Sequence, residues 1–167
     1  MTNAHAKSAA IISKNELKSQ LLVALKAELA GAEAAYNSTK AGATHEEAKP
    51  ENDKDTRALE ASYLARGQAV RVEELRGAVA DVEAMTTREN MPDRVVLGVV
   101  VEVDDDEKIS TYFMAQHGGG AKLCDGAIQT ITPKAPLGRA LLGKSVGDAA
   151  EVTLAGKAKT LTITRIR

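Results

Sequence analysis

The sequence predicts an α+β protein, with an N-terminal antiparallel coiled-coil helical hairpin followed by a small antiparallel β domain that contains one short helix. Two observations lead to this prediction. Of the 29 alanines, 20 lie before residue 90, where apolar residues recur at alternating spacings of three and four. After residue 94 the pattern changes to valine-rich segments with apolar–polar alternation, which is typical of strands. The 167 residues suffice for one domain or two small ones.

The first helix is predicted between Asn15 and Lys40, a stretch without proline in which Gly31 is the single glycine. Leu17 and Leu21 widen its apolar stripe. The seam positions have the spacing of the a and d positions of a coiled coil, and they are Leu22, Leu25, Leu29, Ala32 and Tyr36. We expect residues 1–13, which come before this helix, to form a disordered tail.

The second helix is predicted from about Asp55 to Met85, after a polar turn that contains Gly42 and Pro50. Its seam alternates in the same way, through Ala58, Ala61, Ala65, Gln68, Val72, Leu75, Val79 and Val82. Two helices with facing seams and a short connection form an antiparallel hairpin, which we assign to residues 14–86. Because each seam covers the other, we expect a monomer.

A linker at residues 87–93 leads into the predicted C-terminal domain, residues 94–167. A short helix is expected after Pro136, because proline suits the first helical position, and Gly143 is a plausible end for it. An acidic run at residues 104–107 reads as a turn between two strands. The predicted strands are residues 94–105, 109–116, 127–132, 148–155 and 159–166.

Composition excludes several classes of function. A net charge of −1 argues against strong unaided binding to nucleic acid, and an aromatic content of 2% argues against a base-stacking platform. The single cysteine, Cys124, excludes an internal disulfide and a cysteine-based zinc site, and it favours a reducing compartment. The longest apolar run, residues 95–101, is too short to span a membrane. We therefore expect a cytoplasmic protein.

One stretch, residues 138–145, matches the phosphate-binding pattern G-x-x-x-x-G-K-S/T. A phosphate-binding loop of this kind follows a buried strand and opens a long helix, whereas here Pro133 and Pro136 come before the match and a strand follows it. We therefore interpret the match as part of a short helix that packs on the sheet. The histidines at 5, 45 and 117 lack partners at metal-ligand spacing.

The connection between the two helices is acidic. Two interpretations stay open at this point. Acidic side chains stabilise the N-terminus of a following helix and keep a turn soluble. Carboxylates at the end of a thin rod could also complete the coordination of a Mg²⁺ ion that a partner protein holds. The acidic residues concerned are Glu46, Glu47, Glu51, Asp53 and Asp55.

Two stretches resemble the bacterial Gre transcript-cleavage factors, GreA and GreB. Residues 45–63, HEEAKPENDKDTRALEASY, are similar to the hairpin tip of that family. Residues 131–152, ITPKAPLGRALLGKSVGDAAEV, are similar to its C-terminal signature, and the formal phosphate-loop match lies inside them. With the helical half, the resemblance covers nearly the whole chain after about residue 14.

The resemblance implies an FKBP-like C-terminal domain that docks on RNA polymerase, and a hairpin that enters the polymerase's secondary channel. The tip would help to hold a Mg²⁺ ion shared in the polymerase active site, and the polymerase itself would hydrolyse backtracked RNA. The protein alone would be neither an enzyme nor a stable metal binder. It would meet nascent RNA and DNA only within the elongation complex.

The family's residues carry over unevenly. Glu51 and Asn52 match the Glu-Asn pair of the tip. The family's other tip acid lies three residues earlier, where this chain has Ala48, so Glu47 takes that role only if Pro50 is an inserted residue. In the docking signature, alanine stands at 135 where the family usually has serine. The signature residues that fit are Pro136, Leu137, Gly138 and Arg139.

These departures leave other interpretations open. The protein could occupy the polymerase channel without stimulating cleavage, as a non-cleaving regulator. It could be a coiled-coil adaptor that dimerises through its helices. It could also be a prolyl isomerase, although four aromatic residues are few for the apolar pocket of such an enzyme.

Overall fold

The computed structural model describes residues 12–45, 56–87, 92–154 and 156–167. Two long helices come first, α1 at Lys14–His45 and α2 at Thr56–Ala84. A short helix, α3, spans Pro136–Leu141. The strands are β1 at Val100–Asp104, β2 at Ile109–Met114, β3 at Lys122–Leu123, β4 at Ile128–Ile131, β5 at Ala149–Leu154 and β6 at Lys157–Ile166. The α+β class is confirmed.

By their contacts, the residues divide into two compact units. Leu25–Ala80 form one unit, and the chain before and after that range forms the other. The division therefore runs through both long helices, and not through the linker at residues 87–93. In the described ranges no helix combines the length and the apolar character that a membrane crossing requires.

The seams predicted for the two helices are the covered positions in the structure. Within the hairpin unit, Leu25, Val72, Leu75 and Val79 are buried, and the other described seam positions are half-buried. In the other unit, Leu17 and Leu21 at the start of α1 are completely buried. The spacing of three and four therefore identified the inner faces of both helices correctly.

The start of α1 is fastened by its own polar side chains. Ser13 Oγ accepts a hydrogen bond from the Glu16 amide at 3.1 Å, as expected of an N-cap serine. Lys18 Nζ donates to the carbonyl oxygens of Glu83 and Met85, both at 2.8 Å. The lysine thus satisfies carbonyls at the end of α2, where a positive charge also complements the helix dipole.

The six strands form one sheet in the order β3-β4-β2-β1-β6-β5. Four of the five neighbouring pairs are antiparallel, but β2 and β4 are parallel, with Phe113 opposite Thr130. The expectation of a purely antiparallel sheet is therefore wrong at this pair. The chain between β2 and β4 forms β3, which pairs with the other edge of β4 and runs antiparallel to it. Because of this reversal, β4 runs in the same direction as β2. A two-residue strand inside a glycine-rich loop leaves no pattern in the sequence.

The first strand is shorter than predicted, because it begins at Val100 and not near residue 94. Gly98 has a φ of +82°, and a Cβ there would lie 2.7 Å from the Thr86 carbonyl oxygen. The chain therefore turns at Gly98 before it enters the sheet. Val95 pairs elsewhere, since it donates to the Lys144 carbonyl and accepts from the Gly143 amide, both at 2.8 Å.

One face of the sheet carries the main apolar core, and α3 packs on it through Leu137 and Leu141. Valine and isoleucine from the central strands dominate this core, as expected for strands whose side chains are largely covered. The buried members are Val95, Val99, Val101, Val103, Met114, Ile131, Leu137, Leu141, Ala150, Val152, Leu161, Ile163 and Ile166.

Candidate functional site

The candidate tip residues Glu47, Glu51 and Asn52 lie outside the described residues. They belong to the segment that connects the end of α1 at His45 to the start of α2 at Thr56. Their place in the chain is therefore the connection between the two helices, as the sequence predicts, and the interpretation of these three residues remains a prediction.

The candidate docking residues lie on α3. Ala135 precedes the helix in an extended conformation, with φ −74° and ψ 150°, and provides no side-chain cap. Pro136 occupies the first turn, where its missing amide hydrogen costs nothing. The helix ends at Leu141, and Gly143 follows with a φ of +80°. The predicted start after Pro136 and the predicted end at Gly143 are both confirmed.

Gly138 holds α3 against the chain that precedes it. A Cβ at this position would lie 2.0 Å from the Thr132 carbonyl oxygen and 2.6 Å from the Thr132 carbonyl carbon. These atoms belong to the backbone and cannot rotate away. The requirement for glycine at 138 therefore comes from close packing within the protein.

The four candidate docking residues differ in what they offer to a partner. Leu137 is 8% exposed and Gly138 is buried, so neither residue is accessible to a partner. Pro136 and Arg139 are exposed. The Arg139 guanidinium donates to the Lys134 carbonyl at 3.0 Å, which holds its charge beside the start of α3. The sequence alone does not distinguish the buried pair, Leu137 and Gly138, from the exposed pair, Pro136 and Arg139.

Two grooves flank this region. One, of about 650 Å³, lies between the start of α3 and the β2–β4 pair, and its lining includes Tyr112, Gln129, Lys134 and Leu137. The other, of about 780 Å³, is lined by the end of α2 and by three partly exposed apolar side chains, Val96, Leu97 and Leu142. The sequence patterns predicted neither groove, because the lining residues come from segments far apart in the chain.

His117 and Asp81 meet beside the second groove, with Nε2 and Oδ2 2.8 Å apart. The two residues are 36 positions apart in the chain, and neither lies in a motif, so nothing in the sequence paired them. The contact joins the glycine loop after β2 to the last turns of α2. Since Asp81 also lines the groove, a carboxylate borders an otherwise mainly apolar surface.

The segment that matches the phosphate-loop pattern is a helix followed by turns. Helix α3 begins two residues before the match and ends inside it, whereas a phosphate-binding loop would open a helix after its lysine. The Ser145 amide donates to Asp148 Oδ2 at 2.8 Å, and the Asp148 amide donates back to the Ser145 carbonyl at 3.1 Å. The geometry agrees with the rejection of nucleotide binding at this stretch.

The acidic run at residues 104–107 is the β1–β2 turn that the sequence predicts. Lys159 Nζ donates to Asp105 Oδ2 at 2.9 Å, and the amides of Glu107 and Lys108 donate to Asp105 Oδ1. These bonds, above all the one from Lys159, lower the pKa of Asp105 below its ordinary value. The same pair raises the pKa of Lys159.

Two arginines of α2 are paired with carboxylates of α1. Arg76 contacts Glu33 at 2.6 Å and Glu73 at 2.7 Å, which raises the pKa of Arg76. Arg71 lies 3.4 Å from Glu28. Both ion pairs therefore join α2 to α1.

Cys124 is half-buried, and its thiol is free. The Cys124 amide donates to Gln20 Oε1 at 2.9 Å, and the Sγ atom lies 3.7 Å from the same oxygen. Burial raises the pKa of the thiol, so it stays protonated at neutral pH. The cysteine therefore has a structural environment and lacks the features of a nucleophile.

Comparison with known proteins identifies the family. The family model described as transcription elongation factor GreA/GreB, C-terminal, matches residues 89–167. A transcription elongation factor GreA from Mesorhizobium japonicum is 35% identical over 119 residues, which are 70% of this chain and 71% of that protein. One from Rhodospirillum rubrum is 32% identical over 99 residues, 58% of this chain and 60% of that protein. The chain belongs to the GreA/GreB family of transcription elongation factors.

Among solved structures, the GreA factor homolog Gfh1 of Thermus thermophilus aligns with 87% of this chain and 94% of its own. The sequence identity is 18% and the TM-score is 0.38.

Proposed function

We propose that this protein binds RNA polymerase, inserts the connection between α1 and α2 into the secondary channel, and stimulates the polymerase's own cleavage of backtracked RNA. The observation that carries the proposal is the 35% identity to a transcription elongation factor GreA over 71% of that protein. Helices of 32 and 29 residues support it, since they give lengths of about 48 and 43 Å at 1.5 Å per residue. The protein would act in the cytoplasm, with the polymerase.

In this proposal the chemistry belongs to the polymerase, and the protein is not itself an enzyme. Glu47 and Glu51 supply carboxylate oxygens at the tip, and Asn52 supplies an amide beside them. Carboxylate oxygens are ligands that Mg²⁺ prefers. A Mg²⁺ ion shared with the polymerase active site would activate a water molecule for attack on the RNA.

The exposed docking residues are Pro136 and Arg139, and we propose that they contact the polymerase. Leu137 and Gly138 would act indirectly, because they fix α3 on the sheet and so position the two exposed side chains. The Lys134 carbonyl holds the guanidinium of Arg139 in place, so Arg139 could bind a carboxylate of the polymerase.

The tip is tested by transcript cleavage in halted, backtracked polymerase complexes with Mg²⁺ present. Glu47→Gln and Glu51→Gln keep the shape of the side chains and remove the charge, so we expect each to slow cleavage by about tenfold or more. Glu60→Gln, at an exposed position of α2, is the matched control and should cleave at the wild-type rate. Full activity in the double variant Glu47→Gln, Glu51→Gln would exclude the metal role.

Docking is tested by the affinity for the polymerase core enzyme. Arg139→Ala should weaken binding by about fivefold or more, as expected for an arginine that anchors an interface. Arg165→Ala removes an exposed arginine from β6 and serves as the control. Equal affinities of the two variants would place the docking surface elsewhere.

A non-cleaving channel regulator is the second candidate function. The sequence observation that favours it is Ala48, which stands where the family has an acid three residues before Glu51. Pro50 adds to this departure, since it fixes φ and restricts the preceding residue. A wild-type protein that binds the polymerase and leaves backtracked RNA intact would establish this function and overturn cleavage stimulation.

A further inference from the structure

The hairpin unit, Leu25–Ala80, is packed unequally along its length. In the part that we call the inner half, residues 25–36 with 72–80, the seam includes large apolar residues, and Leu25, Val72 and Leu75 are each 4% exposed. In the part that we call the outer half, residues 37–42 and 59–71, none of the described side chains is buried. The covered area therefore drops sharply between one end of the unit and the other.

Gln68 lies at this change in packing, one turn before Val72. It occupies a seam position, and its Oε1 atom is buried without a hydrogen-bond partner in the part of the chain that the structure describes. A buried acceptor that lacks a partner destabilises the closed state, because water satisfies it when the helices separate. Local opening at Gln68 would therefore restore a hydrogen bond that the closed hairpin lacks.

Glycines lower the stability of the outer half further. Gly42 and Gly67 are there, and a Cβ at either of them would meet nothing within 4 Å. Packing therefore does not require glycine at these positions, although glycine weakens a helix interior relative to alanine. A groove of about 490 Å³ lies at the boundary between the two halves, and its lining includes Tyr36, Ala69 and Val72.

We propose that the outer half of the hairpin opens as one cooperative unit while the inner half stays folded, with Gln68 at the boundary. Regions with few buried apolar contacts open at lower free energy than the core of the same protein. The opening is a property of this chain alone and does not depend on polymerase binding. It would change the position of residues 37–42 and 59–71 without unfolding the inner half.

The test is hydrogen exchange of backbone amides in the full-length protein under native conditions. We expect amides of the outer half to share one protection level, and amides of α2 from Val72 to Ala80 to be protected at least about tenfold more. A step near Gln68 supports the proposal. Uniform protection along the hairpin, or a gradual decline toward the helix ends without a step, would overturn it.

Substitutions test whether Gln68 causes the step in hydrogen-exchange protection. Gln68→Leu replaces the unsatisfied amide by an apolar group, so outer-half exchange should slow by roughly tenfold while inner-half exchange is unchanged. Arg66→Leu places the same side chain at a neighbouring exposed position and should leave the step in place. If Gln68→Leu slowed both halves equally, the boundary would not lie at this residue. Gly67→Ala tests the outer half separately and should also slow its exchange alone.

Discussion

At the scale of single residues, Gly138 shows that a position of the family signature is required by the fold itself. Its α-carbon lies so close to the Thr132 carbonyl that a methyl group would overlap backbone atoms. The neighbouring Leu137 is buried in the core of the sheet. Any effect of substitutions at these two positions on polymerase binding would therefore include a change in the protein's own structure.

Gly138→Ala should lower the free energy of unfolding by about 3 kcal/mol, because α3 must move away from residues 132–133. Gly77→Ala is the matched control, since a Cβ there meets nothing within 4 Å. The control should gain about 1 kcal/mol, the difference in helix propensity. Denaturant unfolding of both variants measures the difference. Equal stability of Gly138→Ala and the wild type would contradict the observed packing.

At the scale of elements, the β1–β2 turn is stabilised by charge in a pH-dependent way. Folding lowers the pKa of Asp105. The contribution of Asp105 to the stability of the fold is therefore complete above its unfolded pKa, and it is lost as the pH falls through the lower folded pKa. Folding raises the pKa of Lys159. The contribution of Lys159 to stability is therefore complete below its unfolded pKa, and it is lost as the pH rises through the higher folded pKa.

Asp105→Asn should therefore destabilise the protein by a constant amount between about pH 5 and pH 9, and by less below about pH 4 and above about pH 10. The free energy of unfolding, measured against pH, checks this expectation. Asp106→Asn changes the next carboxylate, whose residue also has a positive φ that asparagine tolerates, and it is the control. If the free energy of unfolding of Asp105→Asn differed from that of the wild type by the same amount at every pH, Asp105 and Lys159 would not stabilise the fold as an ion pair.

The long helices could be predicted from sequence because an apolar seam repeats over many turns, and the seam residues from Leu25 to Tyr36 and from Ala61 to Val79 followed that repeat. The β5–β6 hairpin and α3 were predictable from alternation and from Pro136. The parallel β2–β4 pair and the turn at Gly98 were not, because they depend on contacts between distant segments. In the docking signature, the sequence identified the four residues but could not separate the exposed Pro136 and Arg139 from the buried Leu137 and Gly138.

At the scale of the whole molecule, the covered seams predict a monomer. The apolar positions of the hairpin unit face each other within one chain, and Arg71 and Arg76 of α2 are paired with Glu28 and Glu33 of α1 in the same chain. Sedimentation at micromolar concentration should give a single species of about 17.6 kDa. A species of twice this mass that is lost when Leu25 is replaced by a polar residue would favour the coiled-coil adaptor.

The position of β6 in the sheet has a consequence for biosynthesis. β6 lies between β1 and β5, and it pairs Ile166 with Val101, 65 residues earlier. During translation β1 therefore leaves the ribosome long before its neighbour exists, and the sheet stays in two pieces until residue 166 has emerged. Until then β1 and β5 carry unpaired edges, which are the kind of surface that nascent-chain chaperones protect from aggregation. The sheet should therefore complete its folding only after most of the chain has been translated.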